Sequence, residues 1–161
     1  MFRYLVVWLL LFTVFVLFAG SLSPYTLLTG GLVASVLSAA ASNYLVSDDR
    51  KLMDVKRFLY LVYYFLKYIT IIEFKAHMDV VKRIITGEVK PGIVKVPVDV
   101  KSKYARLLVA NSITNTPGTV VVDEKDNYFY VNWINVTTFE PLEAKKAISE
   151  EFEEHASRIF D

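Results

Sequence analysis

The sequence predicts an α-helical membrane hairpin, then a long amphipathic helix, then a small α/β domain of order β-α-β-β-α. Three observations carry this reading. From Tyr4 to Ser47 there is no Asp, Glu, Lys or Arg. The next stretch places basic and aromatic residues at helical spacing. Beyond Gly87 the pattern turns to short apolar–polar alternations separated by Pro-Gly and polar turns. The chain has 161 residues with 18 Lys/Arg and 17 Asp/Glu, and Arg3 is the one charged side chain before Asp48. So uneven a distribution argues against a single soluble domain. The absence of cysteine excludes a disulfide scaffold, thiolate-bound metal and a Cys nucleophile.

A span needs roughly 20 apolar residues, so the uncharged run is long enough for two. The cluster Gly20-Ser21-Leu22-Ser23-Pro24 is the expected break. The first segment, Tyr4 to Ala19, is dominated by Leu, Val and Phe; the second, Tyr25 to Val46, is richer in Gly, Ala and Ser. Gly30, Gly31, Ala34, Ser35 and Ser38 belong to a small-residue pattern with spacings of four. Such residues let helices approach closely where lipid supplies no hydrophobic drive. The partner is the first segment of the same hairpin, another subunit, or both. Arg3, an apolar core and Ala19-Gly20-Ser21 also imitate a cleaved signal peptide, but the uncharged stretch continues well past Ser21. Residues 1–47 are therefore assigned to a two-helix hairpin.

Residues 48–86 follow, with a polar break from Asp48 to Met53 and helical periodicity from about Leu52 to Thr86, ending at Gly87. That makes a helix on the order of 50 Å long. Lys56, Arg57, Tyr60, Tyr64, Lys67, Lys75 and Lys82 fall on one side; Phe58, Val62, Phe65, Ile69, Ala76 and Val80 fall on the other. The tyrosines suit a membrane interface. The uninterrupted apolar stretch is short and contains Lys67, which costs at least about 2.5 kcal/mol at a bilayer centre. Between Asp48 and Lys103 there are 12 Lys/Arg against 7 Asp/Glu. This bias favours a helix lying at the cytoplasmic surface and packed on partners, with a third span as the alternative. The expected topology is multi-pass in the cell membrane, with the C-terminal domain cytoplasmic.

Residues 87–92 read as a linker and 93–161 as the α/β domain. Ile93 to Val100 alternates as a half-buried strand, and Pro97 marks it as an edge strand. Ser102 is positioned to cap a helix through Ile113, which Thr116-Pro117-Gly118 ends. Thr119 to Asp123 and Tyr128 to Asn135 form a hairpin about the polar turn Glu124 to Asn127. Pro141 opens one final helix whose apolar face is Ile148, Phe152, Ala156 and Ile159. From Tyr104 onward there are 5 Lys/Arg against 10 Asp/Glu, which discourages a nucleic-acid partner.

Chemistry is sparse. His77 and His155 lie in different helices without ligand partners at suitable spacing, so each reads as a solvated helix histidine and no metal or cofactor is expected. Glu150-Glu151-Phe152-Glu153-Glu154 reads as a solvated helix face. There is no phosphate loop, no nucleophile elbow and no small-molecule site, so an enzyme is not expected. Intramembrane charge marks ion paths, and the two apolar segments carry none from Tyr4 onward. Lys67 and Glu73 come nearest as interfacial or ion-path candidates, but their spacing of six sets them on different faces.

One segment stands out: Asn111-Ser112-Ile113-Thr114-Asn115-Thr116-Pro117-Gly118-Thr119. Its short polar side chains can satisfy free backbone groups where a helix meets a strand. It also closely resembles the N-x-I-T-x-T-P-G-T signature of the E subunit of Mrp-type multisubunit sodium/proton antiporters. Lys90-Pro91-Gly92-Ile93-Val94 and Tyr128-Phe129-Tyr130-Val131-Asn132-Trp133-Ile134 resemble two further stretches of that family. Asn115 and Asn132 depart from the family's commoner apolar residue and histidine. The family includes the related subunit of archaeal membrane-bound hydrogenase-type complexes. The resemblance implies a non-catalytic accessory subunit of a cation/proton antiporter, held among other integral membrane subunits and the bilayer. Asn111, Ser112, Ile113, Thr114, Thr116, Pro117, Gly118 and Thr119 would be its structural motif. The competing reading is a free-standing membrane-anchored adaptor or sensor that uses its C-terminal domain to bind.

Overall fold

The computed structural model describes residues 2–46 and 54–161. The predicted polar break Asp48 to Met53 lies outside the described residues. The chain divides into two compact units, Met1–Asp54 and Val55–Asp161.

The first unit is a helical hairpin. Helix α1 (Phe2–Ala19) stops at Gly20, whose φ of 60° is the left-handed conformation that ends helices. Ser23 then caps helix α2 (Pro24–Leu45), accepting from the Thr26 amide at 3.2 Å, with Pro24 in the first turn. At 1.5 Å per residue the two helices are about 27 and 33 Å long. Among the described residues, these are the two helices long and apolar enough to cross a membrane.

The small-residue stripe faces α1. Thr26, Gly30, Ala34, Ser38 and Ser42 are buried at intervals of four. A Cβ at Gly30 would lie 2.7 Å from the Phe15 ring, so only hydrogen fits there. Trp8 donates to Ser35 Oγ at 2.9 Å, and the Tyr4 hydroxyl reaches the Ser35 carbonyl at 3.3 Å. Within this chain, the stripe meets the first segment of its own hairpin.

The second unit begins with a continuous helical stretch. Helix α3 (Val55–Lys67) runs through a π-helical turn, Tyr68–Ile72, into helix α4 (Glu73–Thr86). Gly87, with φ of 71°, ends it as expected. The π turn inserts one extra residue per turn and rotates the following face. Nothing in the apolar periodicity announces it.

A three-stranded antiparallel sheet of order β1-β3-β2 follows, built from β1 (Gly92–Pro97), β2 (Thr119–Lys125) and β3 (Tyr128–Trp133). β1 lies at an edge, where Pro97 withholds no needed donor. β2 and β3 pair about Asp126 and Asn127, both at positive φ, as a tight hairpin requires. Val94, Val96, Phe129 and Val131 point to one face and are buried. Helices α5 (Lys103–Asn115), α6 (Pro141–Ile148) and α7 (Glu150–Phe160) cover that face. Ser102 caps α5 by accepting from the Ala105 amide at 3.0 Å. The core joins those strand residues to Ala105, Val109, Ile113, Ala144, Ile148, Phe152, Ala156 and Ile159. The opposite face of the sheet leaves Ile93 and Val120 exposed.

Two expectations need correction. The single final helix is broken at Ser149 into α6 and α7, so the order is β-α-β-β-α-α. The acidic run is not wholly solvated. Glu153 is buried, taking hydrogen bonds from Ser149 Oγ at 2.7 Å, the Asp99 amide at 2.9 Å and Lys145 Nζ at 2.9 Å. The break at Ser149 places that hydroxyl where it satisfies the buried carboxylate. Burial works against the Lys145 charge, yet Asp99 and Glu153 hold its ammonium above the ordinary lysine range.

Candidate functional site

The nine-residue motif occupies the junction of α5 and β2. A helix end leaves carbonyls without partners, and short hydroxyl side chains can serve them. Here Thr116 Oγ1 donates to the Ser112 carbonyl at 2.6 Å, and the Thr116 amide reaches the same oxygen at 3.1 Å. Thr119 Oγ1 donates to the Ile113 carbonyl at 2.7 Å. Thr114 Oγ1 accepts from the Val121 amide at 3.2 Å, tying the helix to the strand that follows. Ile113 is fully buried, while Asn111 and Asn115 are exposed. Gly118 has φ of 98°, its carbonyl accepts from the Ile134 amide at 2.8 Å, and a Cβ there would lie 3.1 Å from the Ile134 side chain. Pro117-Gly118 thus turns the chain tightly against the end of β3.

The long helix docks onto this junction through its tyrosines. Tyr64 is 3% exposed, and its hydroxyl pairs with Ser112 Oγ at 2.5 Å. Tyr68 donates to the Ser112 carbonyl at 3.2 Å and lies 3.3 Å from Thr116 Oγ1. Burial pushes the Tyr64 phenol up to about 12 and the Tyr68 phenol higher still, so both stay neutral donors at physiological pH. The sequence assigned these rings to a membrane interface; the structure buries Tyr64 in the protein core instead. The reason is the spacing. Tyr64 and Tyr68 lie one turn apart, and two hydroxyls so placed match the polar end of α5.

A second contact joins α3 to α7. Arg57 donates to the Ile159 carbonyl at 2.9 Å, and the Arg158 guanidinium lies over the Tyr60 ring, 5.8 Å from its centroid. Lys67 pairs with Glu151 at 2.7 Å and lies 3.3 Å from His155 Nε2. The Glu151 partner holds the Lys67 ammonium above its ordinary range. His155, expected to be solvated, is buried at 6% exposure between α7 and the rings of Tyr63 and Tyr64. It shares a helix face with Phe152 and Ile159, and that shared face was the available signal. His77 is exposed, as expected, and contacts Glu73 one turn away.

Lys67 and Glu73 therefore serve different contacts. Lys67 binds α7, while Glu73 lies beside His77 and Tyr68. Arg57, Tyr60, Tyr64 and Lys67 on the polar side of α3 take part in this docking. Phe58, Leu59 and Phe65 on its other side are exposed, as is Phe74 on α4. Between α4 and the motif lies a cavity of about 640 Å³ lined by Lys67, Lys75, Pro117, Gly118, Trp133 and Lys146, among others. Among the described residues, no group of three or more His, Asp or Glu is arranged to hold a metal ion.

The family model and the curated relative name one family. Residues 8–159 match the family model MNHE, described as a Na+/H+ ion antiporter subunit. The E subunit of the Na(+)/H(+) antiporter of Alkalihalophilus pseudofirmus is 35% identical over 71 residues, a segment spanning 42% of this chain and 45% of that relative. A chain from the membrane-bound sulfane sulfur reductase, an archaeal respiratory membrane complex, superposes with a TM-score of 0.83. It is 26% identical, and the match covers 99% of this chain and 100% of that one. With a full-length fold match and a family match over nearly all its residues, this chain belongs to the family of Na+/H+ antiporter E subunits.

Proposed function

We propose that this membrane protein is an accessory, non-catalytic subunit that stabilises a multisubunit cation/proton antiporter or the antiporter module of a respiratory membrane complex. The observation that carries this reading is the absence of Asp, Glu, Lys and Arg from Tyr4 to Ser47. An ion crossing a bilayer needs ionisable or polar groups along its path, and α1 and α2 carry no Asp, Glu, Lys or Arg from Tyr4 onward, with Tyr4 and Trp8 bonded to Ser35 across the hairpin. Lys67 and Glu73 are engaged by contacts within the second unit. The ion path then belongs to partner subunits.

The second unit lies on the cytoplasmic side, with the apolar side of α3 and α4 turned to lipid or neighbouring subunits. The excess of Lys and Arg after Asp48 supports that orientation. The match to a chain of a respiratory membrane complex supports a setting among larger partners. Affinity purification of the full-length chain in mild detergent tests the proposal. It should bring down several other integral membrane proteins in fixed ratio. Recovery as a stable solitary monomer would overturn it.

A further inference from the structure

The surroundings of His155 suit one protonation state. Nε2 faces the Lys67 ammonium at 3.3 Å, so this nitrogen must be the acceptor. Nδ1 is buried, with no hydrogen-bond partner among the described residues. Adding a proton would turn Nε2 into a donor aimed at a cation, and the new charge would sit where neither ring nitrogen has an acceptor. Burial comes first among the causes that keep the imidazole below its usual range, and Lys67 second. Arg158 adds to them, while Glu151 and Glu154 work the other way. Tyr63 and Tyr64 close the site from α3 with neutral rings. On α5, Arg106 is engaged elsewhere by Glu124 at 2.6 Å.

We propose that Lys67, Glu151 and His155 form an acid-sensitive latch, which holds α3 against α7 while His155 is neutral and releases it on protonation. The latch sits at one of the contacts that join the long helix to the rest of the unit. Another, through Tyr64, Tyr68 and Ser112, carries groups that do not titrate below neutrality. Acid therefore loosens one contact and spares the other. The sign follows from linkage. A group whose folded pKa is depressed favours the docked state above its ordinary value of 6.5 and withdraws that support as pH falls through the lower, docked value. The response thus belongs to acidification, on whichever side of the membrane the unit lies. The proposed topology makes that side the cytoplasm, and the latch depends on that reading for its location alone.

The test uses the full-length chain in lipid nanodiscs. His155 is titrated by NMR in a His77→Gln background, and amide-exchange protection of residues 150–160 is followed from pH 7.5 to 5, corrected for intrinsic exchange. His155 should titrate below 6.5, with protection falling by roughly tenfold for each unit of depression. His155→Gln stays neutral and should keep its protection across the range. Lys67→Met should move the His155 titration up toward 6.5. Titration at or above 6.5, equal loss of protection in the wild type and His155→Gln, or no movement in Lys67→Met would each overturn the latch.

Discussion

Gly118 and Ser112 show what single residues of the motif do. Gly118 holds φ of 98°, and its α-carbon faces Ile134 at a distance that a methyl group meets at 3.1 Å. Gly118→Ala carries both a left-handed backbone strain and a tight contact, so it should destabilise the second unit by about 1–3 kcal/mol. Chemical denaturation of the full-length chain in detergent measures this, and an unchanged midpoint would refute the turn's role. Ser112 is a hub. Its carbonyl accepts from Thr116 and Tyr68, while its hydroxyl meets Tyr64 and the Leu108 carbonyl. Tyr64→Phe keeps the buried ring but removes one hydroxyl, and Ser112 retains Leu108 as acceptor. The loss should be near 1 kcal/mol. Tyr64→Ala removes the ring as well and should cost about 3–5 kcal/mol, read by the same denaturation experiment.

At the scale of elements, the hairpin and the long helix reverse the usual reading of a surface pattern. In α2 the small residues are an internal seam, and Gly30 is its tightest point. Gly30→Leu should separate α1 from α2, which loss of a Cys–Cys cross-link engineered between the helices would report; an unchanged cross-link would place the seam elsewhere. In α3 the polar side is the one that meets α5 and α7, through Tyr64, Arg57 and Lys67, while Phe58, Leu59 and Phe65 on the apolar side are exposed. Helical spacing alone shows that a helix has two unlike sides. It does not show which side meets protein, because lipid and a protein core make the same demand on an apolar face. That limit explains what the sequence could and could not reveal. Ser102 and Gly87 act through neighbours within a few residues, so the helix start and the helix end they mark were readable from local chemistry, as was the polar turn Glu124 to Asn127 that the structure centres on Asp126 and Asn127. The burial of His155 and Glu153 depends on partners distant along the chain, Lys67 and the Asp99 amide. A run such as Glu150 to Glu154 states its charge but not which member finds Lys145 or Lys67.

For the whole molecule, charge is arranged in layers. A hairpin whose one charged side chain is Arg3 is followed by a basic stretch, with 12 Lys/Arg against 7 Asp/Glu from Asp48 through Lys103, and then by an acidic remainder. The structure gives the middle layer a mechanical task, since its cations grip α7 while its apolar side stays exposed. The motif, read from sequence as good local chemistry and a family signature, is the seat on which that helix rests. In the function proposed above, this brace would support ion movement without taking part in it. The direct test is sodium/proton exchange in vesicles by the complex carrying Lys67→Arg and Glu73→Gln together. Arginine keeps the ion pair with Glu151 but does not release its proton, and glutamine keeps the shape of Glu73 without its charge. The account predicts exchange within about twofold of wild type when normalised to assembled complex. Abolished exchange with normal assembly would contradict it and place these side chains on the ion path.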